Sequence, residues 1–105
     1  MDFEKLDMRI GEIVAVDEFP EARTPAFRLK VDFGEELGVK KSCAQCTHYP
    51  KAELLGKQVI CVVNFPPKQI GPAISEVLIL GVPGGDRGLA LLTPDFRVPL
   101  GGKMY

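Results

Sequence analysis

Apolar and polar positions alternate with period two along much of this chain, which predicts short strands joined by proline- and glycine-rich connections. Residues 8–17 set Met8, Ile10, Val14 and Val16 between polar or small neighbours, a long first strand with Gly11 as its expected bend. Phe27, Leu29, Val31 and Phe33 alternate with Arg28, Lys30 and Asp32, so a second strand has one core face and one charged, wet face. Gly34 and Gly38 bracket an acidic turn before a third strand over 39–46. Pro50 near the start and Gly56 at the stop frame one or two helical turns. The apolar runs 58–64 and 74–80 predict strands four and five, and a short sixth strand over 89–92 follows the Pro83-Gly84-Gly85-Asp86 turn. At the N-terminus, Phe3 and Leu6, three apart, suit a short helical turn.

Five main strands with a short helix between the third and fourth follow the order of an OB-fold barrel. The predicted class is all-β with small helical turns, a single five-stranded OB-fold domain over 1–105 with N- and C-terminal extensions. Between strands four and five lies a loop holding Pro66, Pro67 and Pro72, together with Lys68 and Gly71. The prolines fix φ and remove three backbone donors, so the loop is expected to be rigid without joining a sheet. A rigid loop with a cation at its tip, on a β scaffold, is built to present something.

Composition narrows the function classes. A chain of 105 residues, 46% hydrophobic and 26% charged, suits one soluble globular domain. No apolar stretch approaches a bilayer span and the first residues are acidic, so neither membrane insertion nor a secretory signal is expected and the default location is cytoplasmic. Three cysteines argue against a disulfide framework. Cys43, Cys46 and His48 have the look of a metal half-site, but a structural zinc site needs a second ligand pair and only Cys61 remains. Small apolar wall residues are the better reading, and no metal or cofactor is expected. His48, the single histidine, has no nucleophile or carboxylate at a recognisable spacing, so the chain reads as a non-enzyme.

Net charge is −1, yet its distribution is uneven. Residues 1–36 sum to −5, whereas 37–72 hold Lys40, Lys41, Lys51, Lys57 and Lys68 against Glu53 alone. The basic middle third is either a footprint for a phosphate backbone or a set of independently solvated lysines.

The run Phe3-Glu4-Lys5-Leu6-Asp7-Met8-Arg9-Ile10-Gly11 resembles the opening signature of the tRNA-binding domain family. More narrowly, Glu18 to Arg23, Val31 to Gly34, Ser42 to Gln45, Lys57 to Ile60, Val62 to Lys68, Ser75 to Leu78 and Leu91 to Asp95 are similar to the bacterial CsaA-type secretion chaperones. The resemblance implies an OB-fold homodimer with the chain ends at the interface: Phe3, Leu6, Phe96, Val98, Leu100, Met104 and Tyr105. The other reading of these residues is that they cap their own barrel. The family's nucleic-acid motif matches Asn64 and Ser75-Glu76, with Leu78 standing where tRNA binders carry methionine.

OB-folds bind across strands two and three, between the first-to-second and fourth-to-fifth strand loops. That address collects Arg23, Arg28, Lys30, Lys40, Lys41, Asn64, Phe65, Lys68 and Gln69, flanked by Ser75 and Glu76. Lysines there would neutralise phosphates, Asn64 and Ser75 would bond a base edge or a 2′-hydroxyl, and Phe65 would stack a base. The plain alternatives are that Phe65 closes the barrel end, that Asn64 and Ser75 satisfy loop backbone, and that Glu76 pairs with a lysine. The expected function is a CsaA-like chaperone that binds unfolded or precursor polypeptides and assists export with the export machinery, with tRNA or other structured RNA in the same groove. The alternative is a structure-selective tRNA-binding protein acting in translation.

Overall fold

The computed structural model describes residues 5–105. Among these residues nine strands, one α-helical turn and a 3-10 turn follow in order: β1 Met8–Glu18, β2 Phe27–Asp32, β3 Val39–Ala44, α1 Lys51–Leu54, β4 Gln58–Val62, β5 Lys68–Ile70, β6 Ala73–Ser75, β7 Leu78–Ile79, β8 Gly81–Pro83, the 3-10 turn Gly85–Arg87 and β9 Leu89–Leu91. Five of them form an antiparallel sheet in the order β3-β2-β1-β4-β7, which curls into a nearly closed barrel of the OB type. β1 is long enough to serve two partners, β4 from Met8 to Glu12 and β2 from Glu12 to Glu18.

The core is what the alternation predicts. Phe27, Leu29 and Val31 point inward with Ile13, Phe33, Val59 and Cys61, while Arg28 and Lys30 stand outside. Leu54, the one buried residue of α1, joins this cluster and has no solvent exposure. Gly11 is not the bend. A β-bulge falls between Ile13 and Ala15, leaving Val14 as the extra residue on the outside. Gly11 instead permits close packing, because a Cβ there would lie 2.4 Å from Val31 Cγ1 and 2.7 Å from the Phe33 ring.

The predicted fifth strand is broken. Ser75 ends β6, Leu78 begins β7, and Glu76 and Val77 between them turn their N–H groups to the Lys41 carbonyl at 2.8 and 3.3 Å. These bonds, with Ser42 Oγ donating to the Val77 carbonyl at 2.8 Å, close the barrel between β3 and β7. The proline loop also departs from expectation: after Pro67 the chain enters a two-stranded ladder, Lys68 opposite Ser75 and Ile70 opposite Ala73. Gly71 takes φ +56° at the first central position of the two-residue turn, a conformation that suits glycine, and Pro72 follows it. Pro66 and Pro67 thus precede the short hairpin and Pro72 sits in its turn, so none of them excludes it.

The C-terminal extension packs on its own chain. Gly101 N–H donates to the Ile10 carbonyl at 2.8 Å, Ile10 N–H to Gly102 at 3.0 Å and Met104 N–H to Met8 at 2.9 Å. This fills the edge of β1 that β2 leaves free. Gln58, buried, exchanges both side-chain bonds with the Val98 backbone at 2.7 and 2.9 Å.

Candidate functional site

Two adjoining depressions lie on the side of the barrel where β2, β3 and the β5–β6 hairpin meet. The first, about 490 Å³, sits between the β1–β2 connection and the hairpin turn, lined by Phe19, Ala22, Arg23, Cys43, Ile70 and Gly71 among others. The second, about 320 Å³, covers the outer face of β2–β3, lined by Asp17, Arg28, Lys30, Lys41, Cys43 and Ile74 among others. Cys43 lines both, so the two read as one channel, apolar at Phe19, Ala22 and Ile70 beside Glu21 and Arg23 at one end, and cationic at Arg28, Lys30 and Lys41 beside Asp17 at the other.

The local fold explains the lining. Phe19 is buried and anchors the β1–β2 connection. Arg28 donates from Nε to the Glu18 carbonyl at 3.0 Å, and its guanidinium lies 5.8 Å from the centre of the Phe19 ring. On β3, Ser42 and Ala44 are buried, so Lys41 and Cys43 take the outer face with Arg28 and Lys30. Register pairs Lys30 with Lys41, Arg28 with Cys43 and Asp17 with Arg28. Burial pushes the Cys43 thiol up, with Arg28 acting the other way.

Of the residues expected at the site, Arg23, Arg28, Lys30 and Lys41 are brought together. Lys40 is not, because strand alternation sends it to the opposite face from Lys41. Phe65, Lys68 and Gln69 are exposed but line neither depression, and Gln69 Nε2 is spent on the Gly71 carbonyl at 2.6 Å. Asn64 accepts from the Asp7 N–H at 3.0 Å and donates to the Lys5 carbonyl at 2.8 Å, which ties down the N-terminal segment. Ser75 Oγ accepts from Cys43 N–H at 3.3 Å and donates to the Val77 carbonyl at 3.1 Å. Glu76 Oε1 accepts from the backbone N–H of Lys41 at 2.9 Å, so its partner is a lysine's main chain rather than its ammonium. The backbone-satisfying reading of Asn64 and Ser75 is the one the geometry supports. Asp17 and Ile74 were missed by the sequence reasoning. Asp17 was legible from the parity of its strand, whereas Ile74 depended on a hairpin that its prolines disguised.

Cys46 and Cys61 are fully buried in the core, where burial pushes their thiols up to about 11 and about 12. His48 Nε2 lies 2.8 Å from the Leu89 carbonyl, and the Tyr49 hydroxyl accepts from Leu91 N–H at 3.2 Å, so this pair holds β9 in place. Among the described residues no three His, Cys, Asp or Glu are grouped to hold a metal ion, and no helix is long and apolar enough to cross a membrane.

At the chain ends, Leu6, Val98, Leu100 and Met104 are half-buried, while Phe96 and Tyr105 are exposed. Phe3 lies outside the described residues.

Residues 8–103 match the family model described as a putative tRNA binding domain. The chain belongs to the tRNA-binding domain family. Among solved structures, the chain is similar to the CsaA chaperone protein of Picrophilus torridus, with a TM-score of 0.94 and 53% identity over 99% of this chain and 95% of that one. Chaperone CsaA of Bacillus anthracis superposes with a TM-score of 0.91 at 48% identity, covering 99% and 94%. Curated relatives include the methionine–tRNA ligase of Pyrococcus abyssi, 38% identical over 98% of this domain. The domain spans only 14% of that ligase's length.

Proposed function

We propose that this domain is a CsaA-like, non-catalytic chaperone that holds unfolded or precursor polypeptides in the channel formed by the two depressions. The carrying observation is the channel's mixed lining, apolar at Phe19, Ala22 and Ile70 and cationic at Arg28, Lys30 and Lys41. An extended polypeptide needs apolar wall for its side chains and polar partners for its backbone, with little demand on sequence. A rim of cations favours acidic segments and speeds encounter. The likeness to two proteins named as CsaA chaperones along nearly their whole length supports this reading. Acting in the cytoplasm, such a domain assists export by delivering precursors to the export machinery. Phe96 and Tyr105, exposed at the chain end, give a second copy a place to dock, and a homodimer would double the holding surface.

A second reading has its own support. The row Arg28, Lys30 and Lys41 with Arg23 nearby suits a phosphate backbone, and the family is one of tRNA-binding domains. On this reading tRNA or another structured RNA occupies the same channel, and the protein acts in translation.

One paired titration separates them. The purified protein is titrated with bulk tRNA and with an unfolded precursor peptide at two salt concentrations, and aggregation of an unfolded client is followed in parallel. Suppressed aggregation with saturable peptide binding is expected. Failure to suppress aggregation of any client defeats the chaperone reading, and tRNA binding that stays unmeasurable at low salt defeats the RNA reading.

A further inference from the structure

We propose that Lys30 and Lys41 work as one unit, seating a single phosphate group of a single-stranded polyanion between their two ammonium groups. The inference rests on the RNA reading of the channel and makes one contact within it specific.

The two residues are register partners on neighbouring antiparallel strands, and both stand on the outer face. Direct cross-strand partners have Cβ atoms about 4.5–5.5 Å apart, and like charges so placed destabilise a sheet. The fold does nothing to relieve this. Among the described residues neither lysine has a carboxylate within ion-pair distance, whereas Lys51 is matched with Glu18, Arg97 with Glu12 and Arg9 with Asp7. Arg28, the next cation along the same face, is engaged by the Glu18 carbonyl and stands opposite Asp17. Among the described residues Arg28 has no carboxylate within ion-pair distance either, but Lys30 and Lys41 face each other as like-charged register partners in a depression whose lining also holds Asp17.

An anion between the two ammonium groups converts their repulsion into two attractions. The ammonium is a compact point charge with freely rotating donors, suited to separate oxygens of a tetrahedral group. A planar carboxylate is better matched by the fork of an arginine. Ile74 lines the same depression, 45% exposed, and offers an apolar wall for the sugar or base beside that phosphate.

The test uses the full chain, a short mixed-sequence single-stranded RNA and a salt series followed by fluorescence anisotropy. Lys30→Gln, Lys41→Gln and the double variant are compared with the parent, with circular dichroism to verify the fold. Each single variant is expected to weaken binding. In the double variant the slope of log affinity against log salt falls by about 0.7, the value for one phosphate on a single strand. A fall of about 1.4 in the double variant means two phosphates contacted independently, and it overturns the shared seat. Unchanged affinity and slope in the variants, with the parent still binding RNA, overturns the seat and leaves the RNA reading standing. No binding of this RNA by the parent overturns the seat, and the tRNA titration then decides the RNA reading separately. Poly-L-glutamate serves as the carboxylate arm: if the double variant loses its binding as fully as that of RNA, the site is a general anion contact and the phosphate assignment fails.

Discussion

Lys41 and Glu76 lock to each other through the main chain: the Glu76 carboxylate accepts the Lys41 N–H at 2.9 Å while the Lys41 carbonyl receives the Glu76 N–H at 2.8 Å. This reciprocal pair is the seam at which the barrel closes. A residue that the motif placed at the site, with pairing to a lysine as its plain alternative, is bonded here to the main chain of Lys41. Glu76→Ala is expected to lower stability by about 1–2 kcal/mol, since it leaves a backbone donor without its charged acceptor. Urea unfolding measures this, and a midpoint equal to the parent's would show that the seam does not depend on the carboxylate.

Asn64 makes the corresponding bridge at the other end of the chain, joining the Lys5 carbonyl to the Asp7 N–H. Asn64→Ala is expected to cost about 1 kcal/mol and to raise amide exchange over residues 5–8, with exchange in β2 unchanged. If exchange at the N-terminal segment stays at the parent's rate, Asn64 is not its anchor.

Asp7 and Arg9 give the protein an acid-sensitive contact. Their side-chain hydrogen bond, 2.7 Å from Arg9 Nε to Asp7 Oδ1, holds the Asp7 carboxyl below its ordinary value, and Arg9 also reaches the Gly101 carbonyl at 3.1 Å. A carboxyl depressed on folding contributes stability that is present above its unfolded pKa, about 3.9, and is lost as pH falls through the folded value. Asp7→Asn should therefore reduce stability at neutral pH and flatten its fall below about pH 4. A variant whose acid limb is as steep as the parent's would assign that limb to other carboxylates.

Cys43 offers a direct probe of the channel. It is half-buried on the shared wall, whereas Cys46 and Cys61 are fully enclosed with thiols raised to about 11 and about 12. Maleimide at mildly alkaline pH should label one thiol per chain, faster as pH rises, because the thiolate is the reactive form. Bound RNA or unfolded peptide should slow the labelling. Equal rates with and without saturating ligand would place the ligand elsewhere.

How much of this was legible in the sequence differs by element. β2 was clear because Arg28 and Lys30 cannot be buried and Leu29 and Val31 have no other place to go. The OB-type barrel followed from five main strands with a short helix between the third and fourth, and that helix buries Leu54 in the core. The region after Asn64 was harder. The stretch 74–80 is apolar apart from Ser75 and Glu76 and reads as a single strand, whereas at Glu76 and Val77 the backbone bonds to β3 rather than continuing its own ladder. Pro66, Pro67 and Pro72 argued against pairing, yet none of them occupies a position that must donate in the β5–β6 ladder. At the site, charge alone grouped Lys40 with Lys41, and only the pleat separates them. Asn64 and Ser75 carried the motif, but sequence cannot tell a side chain that greets a ligand from one already spent on a neighbouring backbone.

The tail along β1 also bears on how this chain is made. Arg9 and Gly101, which meet in the finished fold, are separated by 92 positions, and the strand edge they share is complete only when both are present. During translation at about 5–20 residues per second, the first strand waits several seconds with one edge unpaired. An open edge of that kind invites pairing with other nascent chains. A protein proposed to shield unfinished polypeptides is thus, for the length of its own synthesis, one of them.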